Sequence, residues 1–164
     1  MTETMQWLEA LSYLVTIIGL PLAIVVYVVD RRRERQTDEE EIFLRLSDEY
    51  ADFMRLVIEN ADLRLRAPIP PVGLSEEQQE RKLALFAILV SLFERAYVLV
   101  YEERMSRQQQ RLWQSWEDYM HEWSQREDFR TALAPLLVGE DPGFVATIQR
   151  IAMASAVDSA SSNK

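Results

Sequence analysis

Residues 10–29 read ALSYLVTIIGLPLAIVVYVV, a stretch without a single charged side chain. At a rise of 1.5 Å per residue, about 20 helical residues reach roughly 30 Å, the thickness of the hydrocarbon core of a bilayer. Trp7 and Tyr27 lie near its two ends, where amphipathic aromatic rings favour the membrane interface. The stretch therefore predicts one transmembrane helix over residues 10–29. The alternative for the same pattern is a buried core helix of a soluble protein.

The charges that flank this stretch differ between its two sides. Four arginines follow it closely, whereas no Lys or Arg precedes it. Because basic flanks are retained in the cytoplasm, we expect residues 1–9 outside and everything from the basic juxtamembrane segment 30–36 onward inside. Arginine outnumbers lysine 16 to 2, a bias typical of GC-rich bacterial genomes, so the expected location is a bacterial inner membrane. The four arginines are Arg31, Arg32, Arg33 and Arg35.

The rest of the chain is predicted to be all-α. Glycine is scarce, at 4 of 164 residues, and no stretch shows the sustained period-two alternation of a strand. We therefore expect a transmembrane helix followed by a small cytoplasmic bundle of about four to five helices over residues 37–154. The small, polar composition of residues 155–164 predicts a flexible tail.

Helix starts are marked by side chains that can cap a first turn. In a capping box, a Ser or Thr and a Glu or Gln three residues later each bond the other's backbone N–H. Four such pairs are assigned to helix starts, and Asp141 followed by Pro142 marks another start. The prolines within residues 67–73 predict a linker, since a helix interior does not tolerate them. The four pairs are Thr37 with Glu40, Ser75 with Gln78, Ser106 with Gln109, and Ser124 with Glu127.

The helix predicted over Glu76–Glu103 carries two apolar stripes that together cover more than half of its circumference. It is therefore expected to be the central helix of the bundle. A second membrane span is not expected, because its uncharged run over residues 83–93 is about half the required length. Its remaining face is either a solvated strip or a docking face. The stripes are Leu85, Leu89, Leu92, Ala96 and Leu99, and Phe86, Val90, Phe93, Tyr97 and Val100; the candidate interaction residues on the remaining face are Ser91, Glu94, Arg95 and Glu102.

Three of the four tryptophans share one broad face of the next predicted helix, which runs to about Trp123. A ligand cage or a helix lying in the membrane interface would also be aromatic, but an interfacial helix needs many Lys and Arg on its polar face. Here that face is mixed in charge, so core packing is the expected role. The only histidine, His121, follows Asp118 by three residues. This spacing is weakly similar to the Glu-x-x-His motif of di-iron bundles. Those sites need two such motifs, so a structural histidine is expected.

The composition argues against several classes of function. A net charge of -9 disfavours nucleic-acid binding, which needs clustered Lys and Arg. The chain has no cysteine, and it contains neither of the glycine-rich motifs that cradle phosphates. A serine nucleophile would need a base, and the sequence offers one histidine. We therefore predict no catalytic, cofactor-binding or metal-binding residues, and no enzymatic activity.

The order of the features resembles a group of uncharacterised bacterial single-span inner-membrane proteins with a short helical cytoplasmic domain. The resemblance rests on the span followed by Arg31-Arg32-Arg33, on Leu46-Ser47-Asp48-Glu49-Tyr50, on the proline-rich break, and on the apolar and Trp-rich helices ending in Arg130. It covers most of the chain and consists of packing patterns. It implies the same topology, and it implies no assigned activity.

Two functions fit these expectations. The first is a membrane-anchored cytoplasmic interaction module, meaning an adaptor, accessory or regulatory subunit that contacts the lipid bilayer and binds a protein partner or itself. The alternative is a self-assembling membrane oligomer that forms or regulates a pore or transport complex. It draws on Gly19 and Ala23, a small-xxx-small pair that can pack membrane helices together.

Overall fold

The computed structural model describes residues 22–30, 41–67 and 69–162, which contain helices and no strand. This confirms the predicted all-α class. The chain divides into two compact units, Met1–Glu41 and Ile42–Lys164.

Within the first unit, residues 22–30 are helical. All the large apolar side chains of this stretch are exposed. No other described residue of the first unit packs over them. Ala23 lies in the same helical stretch. The rest of the predicted span with Gly19, the four juxtamembrane arginines, and the Thr37–Glu40 capping box all lie outside the described residues.

The second unit is a bundle of five helices over the residues that the structure describes. A 3-10 turn, Ala61–Leu63, follows the first helix and leads into the proline-containing linker. The helices are α1 (41–59), α2 (Glu76–Val100), α3 (Arg107–Ser124), α4 (Glu127–Leu136) and α5 (Pro142–Ser162).

Side-chain contacts fix the directions of the first three helices. At one end Arg81 Nη1 donates to Asn60 Oδ1 at 2.9 Å, and at the other Arg95 pairs with Glu49, so α2 runs antiparallel to α1. Ring contacts show that α3 is antiparallel to α2 and therefore parallel to α1. These contacts are Phe86 with Trp123 at 6.4 Å and Tyr97 with Trp113 at 5.8 Å between centroids.

The last two helices continue the alternation. Phe129 of α4 packs against Phe86, and Phe144 of α5 packs against Tyr97, so the short α4 runs alongside α2 in the same direction. Along α5, Arg150 pairs with Glu117 of α3 at 3.3 Å. Further along both helices Ser155 meets His121, so α5 is parallel to α3. The bundle therefore has an up-down-up-down-up topology.

The core is formed where the apolar stripes of α2 meet the aromatic face of α3. Eight side chains of α2 are buried, and Trp113, Trp116, Met120 and Trp123 of α3 are buried with them, which confirms the expected core role of both helices. The prediction that Leu99 belongs to the core is wrong, because this side chain is 49% exposed. It lies on the side of α2 that faces away from α3 and α5 near the end of the helix.

By length and composition alone, α2 is the one helix among the described residues that is apolar enough to cross a membrane. Its most apolar 18-residue window has a mean hydropathy of 2.1, and 44% of that window is buried. A central core helix has the same composition, and the burial of Phe86, Leu89 and Phe93 suits that role.

The capping signals placed three helix starts correctly. Ser75 with Gln78 and Ser106 with Gln109 form reciprocal capping boxes. Asp141 Oδ1 accepts the backbone N–H groups of Gly143 and Phe144, each at 2.9 Å, at the start of α5.

Three details at helix ends differ from the sequence prediction. Ser124 does not cap α4: it is the buried last residue of α3, and Arg126 is the N-cap instead. α2 ends at Val100, not Glu103, because the backbone becomes extended at Tyr101. Residues 155–164 were predicted as a flexible tail, whereas α5 continues to Ser162, with Ser155 buried beside His121.

A buried arginine fastens the linker to the turn between α3 and α4. The Arg126 side chain is 6% exposed and forms a two-point ion pair with Asp128, at 3.0 Å from Nε and 2.9 Å from Nη2. Its Nη1 donates to the backbone carbonyls of Arg64 and Ala67. One guanidinium therefore satisfies a largely buried carboxylate and two carbonyls of a segment that has no regular structure.

Candidate functional site

A surface groove of about 440 Å³ lies between α1 and α2. Ala87 and Ser91 are small, so they leave its floor low, while the exposed Ile88 supplies an apolar wall. Its size is within the range of ligand pockets, and its shape is that of an open groove bounded by two antiparallel helices. The lining residues are Glu49, Ala87, Ile88, Ser91, Leu92 and Arg95.

Opposite charges border this groove. Glu49 of α1 forms an ion pair with Arg95 of α2, and its other oxygen lies 3.6 Å from Arg45 Nε. The Glu49 side chain is 27% exposed and the two arginines are more exposed, so each pair contributes at most about 1 kcal/mol to folding. The arrangement therefore leaves the charges available to a partner at little cost in stability.

The structure brings two of the four candidate interaction residues together. Ser91 and Arg95 line the groove side by side. Glu94 is half-buried on a different side of α2, and Glu102 is in the loop beyond the end of the helix, so neither lines the groove. Sequence reasoning missed Glu49, because only the fold brings α1 alongside α2.

Glu94 acts as a structural acceptor at the start of α5. Its Oε1 accepts the backbone N–H of Asp141 at 2.6 Å. Glu140 lies next to it, and a hydrogen bond with Glu94 and partial burial raise the pKa of the Glu140 carboxyl, with the negative charge of Glu94 adding to the effect. The protonated form of Glu140 is therefore favoured beside Glu94.

A second groove, of about 490 Å³, lies between α2 and α4 beside the linker. It contains Lys82, whose ammonium is 3.4 Å from Asp128 Oδ2, and both side chains are largely buried. Arg126 already contacts both oxygens of Asp128, so Lys82 completes a buried ionic cluster of two cations and one anion. Lys82 and Asp128 of this groove therefore help to hold the linker and α4 in place.

The aromatic core has one polar link of its own. Trp123 Nε1 donates to the Tyr50 hydroxyl at 3.2 Å, and the Tyr50 ring stacks on Tyr119 at 4.3 Å between centroids. Burial raises the pKa of Tyr50, because the phenolate form would lose its hydration. The neutral phenol of Tyr50 therefore accepts the hydrogen bond of Trp123, and this contact supports the packing of the aromatic core.

His121 is half-buried, and its Nδ1 lies 3.5 Å from Ser155 Oγ on α5. A structural role was expected for this histidine, and its contact reaches the neighbouring helix α5. Among residues 22–30, 41–67 and 69–162, no group of three or more His, Asp or Glu side chains is arranged to hold a metal ion.

Fold and groove together describe a small five-helix bundle whose central helix carries a groove on its outer side. Comparison of the chain with protein-family models, with curated proteins and with solved structures found no match.

Proposed function

We propose that this protein is a membrane-anchored helical interaction module, which holds its bundle at the inner face of a bacterial membrane and binds a protein partner through the groove between α1 and α2. The observation that carries the proposal is the groove itself, with its apolar floor and its rim of Glu49 and Arg95. An apolar centre with a polar rim is the usual anatomy of a protein–protein interface.

The surface of α2 supports a binding role. More than half of its most apolar window is left unburied by the bundle. Ile88, Val98 and Leu99 are each 46–60% exposed on this helix. Apolar side chains grouped on one exposed helix face are typical of a surface that another molecule covers.

The membrane anchor is supported by the sequence and by the helical stretch 22–30. Residues 10–29 are uncharged, and the arginines that follow favour a cytoplasmic bundle. The apolar side chains from Leu22 to Val29 are exposed, so a lipid environment would bury what the described structure does not.

Two measurements test the anchor. After cell fractionation and carbonate washing, the protein should stay with the membrane pellet. A cytoplasm-dependent reporter fused after Lys164 should be active, and its periplasm-dependent counterpart should not. Recovery in the soluble fraction, or the reverse reporter pattern, would refute the anchor or its orientation.

Binding through the groove is tested by purifying the full-length protein from its native membranes in mild detergent and measuring the mass of the particle. We expect a complex of fixed stoichiometry that Ile88→Arg disrupts, because it places a charge on the groove wall. The matched control is Met153→Arg, which changes a 70% exposed apolar residue on α5 and should leave the complex intact. A monomer from the natural chain, or equal effects of both variants, would contradict the proposal.

A further inference from the structure

The charged side chains of α1 all lie on one side of the helix, next to the groove between α1 and α2. At 3.6 residues per turn, their positions fall within about 120° of the circumference. Glu49, which lines the groove, is at one edge of this arc. Two arginines and five carboxylates give α1 a net charge of -3, whereas the other helices of the described bundle have net charges of -1 or 0. The charged residues of α1 are Glu41, Arg45, Asp48, Glu49, Asp52, Arg55 and Glu59.

Asp48 and Glu59 are exposed carboxylates of this face that form no ion pair within the described residues. The three arginines beside the groove already pair with Glu49 or Asp52. Asp48 and Glu59 are eleven residues apart, which is about 16 Å or three helical turns, so they lie on nearly the same side of α1. The face therefore presents two negative charges that the fold itself does not neutralise.

The groove beside these charges has a shape that a third helix fills. It lies between two antiparallel helices, and helices pack by setting the side chains of one into the groove that another presents. Ala87 and Ser91 are small, so the backbone of a third helix can approach closely. Ile88 and Leu99 are 46% and 49% exposed, and helical periodicity places them on the same side of α2. An apolar stripe on the third helix would cover both.

We propose that the groove receives an amphipathic helix with a basic polar face, supplied by another membrane protein where one of its spans enters the cytoplasm. The inference rests on the proposed function and names the class of partner. Cytoplasmic ends of membrane spans are rich in Lys and Arg, so a module anchored at the inner face of the membrane encounters such helices. The apolar stripe of the partner helix covers Ile88 and Leu99, and two of its basic side chains, three turns apart, pair with Asp48 and Glu59.

Binding of a model helix to the full-length protein in nanodiscs of zwitterionic lipid tests the inference. The probe is a fluorescent helical peptide of about 18 residues, or five turns, with a leucine stripe flanked by lysines. Its matched control carries glutamates at the lysine positions, and empty nanodiscs give the background from binding to lipid. By fluorescence anisotropy we expect saturable binding of the lysine peptide. The glutamate peptide should bind at least about tenfold more weakly, because the charges of α1 repel it.

Variants of the protein locate the binding of the lysine peptide. Asp48→Asn combined with Glu59→Gln removes the two unpaired charges and should weaken binding about fivefold, the amount that two exposed ion pairs contribute. The matched control is Asp118→Asn combined with Glu127→Gln, which removes two exposed carboxylates from α3 and α4 and should leave binding unchanged. Ile88→Arg should reduce binding to the background of empty nanodiscs, because it places a positive charge on the apolar wall of the groove.

Absence of binding by the lysine peptide, equal binding of the two peptides, or equal effects of the two double variants would overturn the basic helix as partner. A native complex that contains two copies of this chain and no other protein would overturn it as well. In each of these cases the proposed function still stands if Ile88→Arg disrupts the native complex. If Ile88→Arg leaves the native complex intact, binding through the groove is refuted, and the basic helix as its occupant with it.

Discussion

Arg126→Met is expected to destabilise the bundle strongly, because the guanidinium is a structural fastener. The Arg126 side chain is 6% exposed and Asp128 is 14% exposed, so the ion pair is largely out of water. Removing one member of such a pair costs about 3–5 kcal/mol, since the remaining charge stays buried without its partner. Lys82 remains 3.4 Å from Asp128 and offsets part of this loss. We therefore expect the free energy of unfolding to fall by about 3 kcal/mol.

The assay is equilibrium urea unfolding of the full-length protein in mild detergent, followed by tryptophan fluorescence. The matched control is Arg150→Met, which breaks an ion pair with Glu117 whose side chains are 65% and 30% exposed. Surface pairs of this kind contribute less than about 1 kcal/mol, so the control should unfold nearly as the natural chain does. Equal losses in the two variants, or a loss below about 1 kcal/mol for Arg126→Met, would refute the assignment of Arg126 as a fastener.

Three further changes test other parts of the structure. Tyr50→Phe should lower the free energy of unfolding by about 1–3 kcal/mol, because the buried Trp123 Nε1 loses its acceptor; an unchanged urea midpoint would contradict this. Glu140 has a raised pKa in the folded protein, so its contribution to stability is full below the ordinary carboxyl pKa and is lost as the pH rises through the raised value. Glu140→Gln removes that loss, so its melting temperature should gain on that of the natural chain as the pH rises above the ordinary carboxyl pKa, and a difference that does not change with pH would contradict the raised pKa of Glu140. Gly19→Leu should leave the complex in mild detergent unchanged, because the proposed contacts lie on α2; its loss would favour assembly through the membrane helices.

Local signals in the sequence were sufficient for most helix starts. Ser75, Ser106 and Asp141 each accept a hydrogen bond from a backbone N–H three residues later, so their capping contacts can be predicted from the local sequence alone. The same rule applied to Ser124 gave a wrong prediction, because Ser124 does not cap α4. Its position is decided by burial at the end of α3, while the start of α4 is set by Arg126 and its contacts with the distant linker.

The groove was predictable in part, for a similar reason. Ser91 and Arg95 share a helix face by periodicity alone, so the sequence places them together. Glu49 is 46 residues away from Arg95 in the chain, and only the antiparallel packing of α1 on α2 makes it a neighbour. Glu102 was assigned to the same face on the assumption of a longer helix, and the end of α2 at Val100 removes it.

The parallel course of α1 and α5 has a mechanical consequence. The first residues of α1 lie at the end of the bundle where α5 begins, so the chain leaves the bundle at the opposite end, about 30 Å away along the 21 residues of α5. A force between the two termini of the bundle would then act along the helix axes, loading the aromatic interfaces in shear. Helices in shear yield together, whereas a bundle with both termini at one end can be peeled open one helix at a time.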